Sequence, residues 1–274
     1  MTDTREQRRV RALFLSDVHL GMRPIRVVQL IEFLRTCEAE TIYIVGDFVD
    51  GWRLAKSWHW PAEYNVLIDL LLEKAIAGTK IIYLPGNHDE FLREYLGTYF
   101  GEIECVDRTI HTGVDGKTYL VIHGDQFDVV VMHAKWLAHV GDWAYNFALR
   151  VNIAINWVRR RLGLQYWSLS AWAKQKVKNA VSVIGRFEEA LVHEAKESGV
   201  DGVICGHIHL ADMHDRLGIR YINTGDWVES CTAVVETYDG EFELIKWTEM
   251  VAGQRRRFRL RRSGRAQERD DIGG

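Results

Sequence analysis

Five short hydrophobic runs, each ending in a polar cluster of Gly, Asp, Asn and His, constrain this chain more than any other feature. The runs occupy residues 12–15, 41–45, 80–85, 119–122 and 202–205. The clusters that follow are Ser16-Asp17-Val18-His19, Gly46-Asp47-Phe48-Val49-Asp50, Gly86-Asn87-His88-Asp89, His123-Gly124-Asp125 and Gly206-His207-Ile208-His209. Short β-branched runs bounded by Gly or Pro read as buried strands. Polar clusters at the carboxyl ends of such strands lie where open α/β sheets place their sites. A single strand ending this way is ordinary, because Gly-Asp is a common turn. Five in one chain point to one shared site.

Helical patterns separate the first runs. Residues 24–36 and 62–77 carry apolar side chains near helical spacing, and Gly78 closes the second in a C-cap position. Residues 51–60 read as an aromatic loop and 90–96 as a short helix. This alternation predicts a mostly parallel sheet with right-handed crossovers. Past Gly101 the rhythm changes. Residues 103–111 and 117–122 read as two strands joined around Asp115-Gly116, a good hairpin pair, and open a second sheet. A helix over 187–198 stops at Gly199, and strands at 219–223, 232–237 and 241–247 are expected to finish the second sheet. The predicted domain covers residues 1–253, with a helical insertion at about 127–186; residues 254–274 read as a basic, disordered tail.

The ligand chemistry follows from residue type. Asp17, His19, Asp47, Asn87, His123, His207 and His209 offer carboxylate, imidazole and amide donors and no thiolate. That mixture suits Mn²⁺, Fe²⁺ or Zn²⁺ better than Ca²⁺. Seven donors exceed one tetrahedral ion and suit two divalent ions, about 3.5–4 Å apart, sharing a bridging carboxylate. Asp47 is the natural bridge. Two such ions neutralise the charge that develops in phosphoryl transfer. His88 adjoins Asn87 and is expected to protonate a leaving oxygen, with Asp89 orienting its imidazole. Asp50 and Asp125 are expected to hydrogen-bond the neighbouring ligands.

Composition excludes some partners. A net charge of −3 gives no field that favours nucleic acid. The 4 cysteines form no CxxC pair, which suits a reducing compartment. Residues 1–11 are polar and lack a signal-peptide core, so a cytoplasmic protein is expected. The insertion is different in character. It mixes Trp136, Trp143, Tyr145, Phe147 and Trp157 with Arg150, Arg159, Arg160 and Arg161. Three readings stay open: a lid for an amphiphilic substrate at a membrane interface, an apolar stripe packed on the main sheets, and a homodimer contact. Lys174, Lys176, Lys178 and Arg186 are expected to face a pyrophosphate or an anionic membrane, and the arginine-rich tail to favour anionic lipid.

These five blocks resemble the calcineurin-like metallophosphoesterase superfamily over residues of about 12 to 248. The resemblance implies a four-layer α/β/β/α sandwich and two metals. It assigns Asp17, His19, Asp47 and His209 to one ion, and Asp47, Asn87, His123 and His207 to the other. It makes His88 the catalytic histidine. Within the superfamily the chain is similar to the UDP-2,3-diacylglucosamine pyrophosphohydrolases of lipid A synthesis. It shares their Ser-Asp-x-His-Leu opening, the insertion after His-Gly-Asp, and Asn223-Thr224-Gly225-Asp226-Trp227. It departs where that branch usually has Arg and this chain has His88. The expectation is a two-metal phosphoesterase acting on a phosphoester or pyrophosphate, such as that of a nucleotide-diphosphate-linked lipid. The alternatives are a phosphodiesterase on nucleotides or nucleic acid, and a non-catalytic scaffold.

Overall fold

The computed structural model describes residues 7–23, 25–127 and 184–252. Strands β1 (Arg8–Leu15), β2 (Cys37–Val45) and β3 (Lys80–Leu84) pair in parallel, in that order. Their connections carry the helices α1 (Val27–Thr36) and α3 (Ala62–Ile76), as the alternation predicts. Two short strands, β4 (Tyr99–Phe100) and β5 (Ile103–Cys105), extend the sheet beyond β3. The second sheet is built on β6 (Thr109–Thr112), β7 (Thr118–Val121), β8 (Gly202–Cys205), β9 (Asp212–Arg216) and β10 (Ile219–Asn223), in the order β6-β7-β8-β10-β9.

Strand alternation generates three cores. Leu13, Leu15, Ile42, Ile44, Ile81 and Tyr83 face outward to Leu30, Leu34, Leu67 and Leu71 of α1 and α3. Their neighbours Phe14, Tyr43, Val45, Ile82 and Leu84 face inward to Tyr119, Val121, Ile204 and Ile222 of the second sheet. On the far side, Leu120, Val203, Cys205 and Tyr221 pack on Phe187, Leu191, Val192 and Ala195 of helix α4, residues 184–197. Helix, sheet, sheet and helix are therefore the four layers, each residue's layer set by its parity along the strand. Each fully buried Leu, Ile or Phe in these cores contributes about 1.5–3 kcal/mol.

Three expectations are corrected. The predicted strand over 103–111 is two strands in different sheets. Val106 N–H still donates to Tyr83 O in the first sheet, and the chain then crosses over through Asp107 and Arg108. Strands β11 (Thr232–Glu236) and β12 (Phe242–Lys246), expected in the second sheet, close the first. They add antiparallel to the free edge of β1, where Ala233 and Val235 serve the helix-side core and Val234 the inter-sheet core. Part of the predicted aromatic loop is helix α2 (Gly51–Lys56), started by Asp50, whose side chain caps Arg53 N. The polar strand β9 was not legible at all; it is an edge, where burial does not impose an apolar face. The insertion and the basic tail lie outside the described residues.

Candidate metal centre

All five polar clusters gather at the carboxyl edge of the two sheets. The backbone there is unusual. Asp17, His19, Asp47, His207 and His209 all have positive φ, between 52° and 71°. Non-glycine residues rarely adopt this region, and they cluster where a site over-determines them. Each turn points a side chain back over the strand ends. Backbone bonds hold the turns together: Asp17 N–H donates to Gly46 O, His19 N–H to Asp47 O, and Leu20 N–H to Phe48 O.

Among the described residues three groups of donors result, the third of them, His19, Asp47 and His88, sharing His19 with the first and Asp47 with the second. In the first, the donor atoms of Asp17, His19 and His209 lie within 4.8 Å of one another. His209 Nε2 is 3.1 Å from Asp17 Oδ1 and 3.3 Å from His19 Nε2. In the second, Asp47, His123 and His207 meet the same limit of 4.8 Å. Asp47 lies between the groups, its Oδ2 being 3.4 Å from His123 Nε2 and 3.7 Å from His19 Nε2. Its other oxygen accepts the amide of His88 at 2.8 Å. His123 is fixed through its far nitrogen, as Nδ1 lies 2.8 Å from Val45 O and Nε2 is turned to the cluster.

The residues fit divalent cations. Asp17 Oδ1, Asn87 Oδ1 and His123 Nε2 are buried without a hydrogen-bond partner, as a ligand awaiting an ion would be. Glycine creates the space: a Cβ at Gly86 would collide with Asp47 and His123, and one at Gly46 with His123. The electrostatics also call for positive charge. Burial opposes protonation of His19, yet Asp17, Asp50 and Asp47 push it up to about 9. Burial likewise opposes protonation of His123, and Asp47 with Asp17 and Asp125 raises it to about 10. Burial favours the neutral acid at Asp17, but His209, His19 and His123 hold it well below the usual carboxylate range.

His88 sits at the rim, 22% exposed, with its ring at 4.6 Å from that of His19 and 4.2 Å from that of Trp52. Its expected partner Asp89 is not beside it. Asp89 is buried beneath the loop and accepts the amides of Gly86, Asp47, Phe48 and Val49 and the hydroxyl of Tyr83. The carboxylate facing His88 is Asp50, Oδ1 to Nδ1 at 3.1 Å, and Asp50 Oδ2 also lies 3.8 Å from His19 Nδ1. Asp125 pairs with Arg93 at 2.7 Å. Sequence reasoning missed Arg93 and Trp52; only their closeness in sequence to the clusters hinted at them. Arg186 is exposed on α4, and Lys174, Lys176 and Lys178 lie outside the described residues.

Comparison with known proteins places this geometry. The calcineurin-like phosphoesterase family model matches residues 10–211. The UDP-2,3-diacylglucosamine hydrolase of Aliivibrio fischeri is 27% identical over 252 residues, covering 85% of this chain and 97% of that protein. That of Cellvibrio japonicus is 29% identical, covering 74% and 83%. Among solved structures, Yfce, a phosphoesterase from E. coli, is 14% identical with a TM-score of 0.41, covering 86% of this chain and 98% of that one. With five strand ends converging on neighbouring donor groups, and the family model matching residues 10–211, which contain all five hydrophobic runs and all five clusters, the chain belongs to the calcineurin-like phosphoesterase family.

Proposed function

We propose that this metal-dependent phosphoesterase hydrolyses the diphosphate of a nucleotide-linked, acylated sugar of the UDP-2,3-diacylglucosamine type. The observation that carries the reaction is the pair of donor groups with Asp47 between them. The substrate rests on the relatives, which bear that hydrolase name over most of both chains. Asp17, His19, Asp47 and His209 would hold one divalent ion, and Asp47, Asn87, His123 and His207 the other, with manganese preferred over iron or zinc. When bound, the ions supply neutralisation of phosphoryl charge and acidification of water. The chain supplies the rest. Asp50 Oδ1 stands 3.1 Å from His88 Nδ1, and Nε2 is the atom assigned to give a proton to the leaving oxygen. Trp52 lies against the His88 ring and limits its rotation.

The same reading places the protein in the cytoplasm at the inner membrane face, where acyl chains of such a substrate reside. Anionic lipid contact and pairing through the insertion belong to this proposal. No helix among the described residues is long and apolar enough to cross a membrane. His88, where the lipid A branch usually carries Arg, supports a second reading as a nucleotide phosphodiesterase. A substrate panel with Mn²⁺ decides. It contains UDP-diacylglucosamine, bis-nitrophenyl phosphate, nitrophenyl phosphate and cyclic nucleotides. Highest kcat/KM on UDP-diacylglucosamine supports the first reading. Turnover of the diesters alone reassigns the substrate, and no turnover of any compound removes the enzyme reading.

A further inference from the structure

Asp17 is held through one of its two oxygens by an arrangement that reaches across the fold. Ser16 Oγ lies 2.6 Å from Asp17 Oδ2, 2.6 Å from Thr224 Oγ1 and 3.0 Å from Gly225 O. Thr224 Oγ1 is also 3.2 Å from Cys205 O. The amide of His207 donates to the same Asp17 Oδ2 at 2.9 Å. Ser16, Asp17 and Thr224 are each 0% exposed, so water cannot substitute for either hydroxyl.

Counting hydrogens gives these contacts a direction. Each hydroxyl has one hydrogen, and an ionised carboxylate only accepts. The Ser16 hydrogen therefore goes to Asp17, the strongest acceptor within reach. The 2.6 Å contact between the hydroxyls then needs the hydrogen of Thr224. Thr224 donates to Ser16, and Ser16 donates to Asp17 Oδ2. With His207 N–H as second donor, Oδ2 is satisfied. Oδ1 has no hydrogen-bond partner and faces His209 Nε2 at 3.1 Å and His19 Nε2 at 3.7 Å. Two glycines make room for the chain of hydroxyls. A Cβ at Gly206 would collide with Ser16 Oγ and Asp17 Oδ2, and one at Gly225 with Thr232 Oγ1. Thr224 is itself anchored, its amide donating to Cys205 O at 2.9 Å and its carbonyl accepting Thr232 Oγ1 at 2.8 Å.

We propose that Ser16 and Thr224 are positioning residues: their hydroxyl relay locks the Asp17 carboxylate in a single-oxygen presentation and so sets the metal affinity of the Asp17–His19–His209 group. Neither hydroxyl touches the ion or the substrate. The inference rests on the two-ion reading of the site, and it predicts a defect confined to one of the two ions.

Calorimetric titration of Mn²⁺ into the metal-free full-length protein tests it, with electron paramagnetic resonance as second readout. The wild type is expected to bind two ions and give a spin-coupled signal. Ser16→Ala and Thr224→Val are expected to weaken one ion by about 10–100-fold, the usual cost of losing a group that orients a ligand. The other ion stays at wild-type affinity, and at one equivalent the spectrum is that of an isolated ion. Thr224→Ser, which keeps the hydroxyl, restores both. Wild-type affinities in Ser16→Ala and Thr224→Val overturn the relay alone. Equal weakening of both ions, or Thr224→Ser behaving as Thr224→Val, marks a general packing role and also overturns it. A wild type that binds no metal overturns the relay together with the two-ion reading.

Discussion

Asp50 Oδ1 lies 3.1 Å from His88 Nδ1 and also accepts the amide of Arg53 at 2.9 Å, so one carboxylate both starts helix α2 and faces the rim histidine. Burial favours its neutral form, but His19, His88 and the Arg53 amide hold its pKa well down. It is therefore ionised at neutral pH and presents a negative charge to the imidazole. His88→Ala should keep metal content while lowering kcat by roughly 10²–10⁴-fold, the range for a lost general acid. The loss should shrink for a nitrophenolate leaving group, which needs no proton. Asp50→Asn should follow the same leaving-group trend with a smaller loss; equal losses on good and poor leaving groups would falsify the acid role.

Asp47 stands between both donor groups, and His209 belongs to one. Asp47→Ala should lose both ions, and His209→Ala chiefly the ion of the Asp17 group. Metal content after gel filtration measures this directly. Two retained ions in Asp47→Ala would rule out the bridge.

Gly86 is required by space. Its backbone amide donates to Asp89, and a Cβ would press on Asp47 and His123 together. Gly86→Ala should lower metal affinity at the His123 group by about tenfold or more, as displaced ligand geometry does. Gly185→Ala is the comparison, because no positive φ strains a side chain there and the nearest atom to its Cβ is Arg216 Nη2 at an ordinary 3.7 Å. Unchanged Mn²⁺ binding in Gly86→Ala would show that the loop simply shifts.

Between the sheets, far along the chain from the clusters, buried Glu236 accepts from Arg11 at 2.8 Å, from Val114 N–H at 2.9 Å, and lies 2.8 Å from His111 Nε2. Burial raises its pKa, but His111, the Val114 amide and Arg11 outweigh this and lower it. A carboxylate depressed on folding contributes stability above its unfolded pKa of 4.5 and loses it as pH falls through the folded value. Glu236→Gln should melt lower than wild type at pH 7 and show a shallower decline from pH 6 to pH 3. Parallel melting curves across that range would remove Glu236 from the acid response.

Much of the site was legible because its two ingredients are local. Val45 followed by Gly46-Asp47 states both a buried strand and a donor at its end, and proximity in space follows from parallel strands sharing one edge. What was not legible depends on distance in sequence. The edge chosen by β11 is a competition between two sheets that its pattern of buried residues cannot decide. Asp89 adjoins His88 on paper and Asp50 is 38 positions away, yet the path of the loop turns Asp89 inward to the amides of Phe48 and Val49 and leaves Asp50 facing the ring. Ser16 and Thr224 are 208 positions apart, and nothing in either neighbourhood names the other.

The left-handed backbone at Asp17, His19, Asp47, His207 and His209 bears on how this molecule can change over time. Each such residue costs roughly 1–2 kcal/mol relative to an ordinary conformation, and domains hold only about 5–15 kcal/mol in reserve. Replacement by glycine at these five positions relieves that cost while deleting a donor. Inactivity and heat resistance are therefore linked at the turns. At Asp17 and Asp47 the side chains also accept the amides of His207 and His88, so part of their retention is structural.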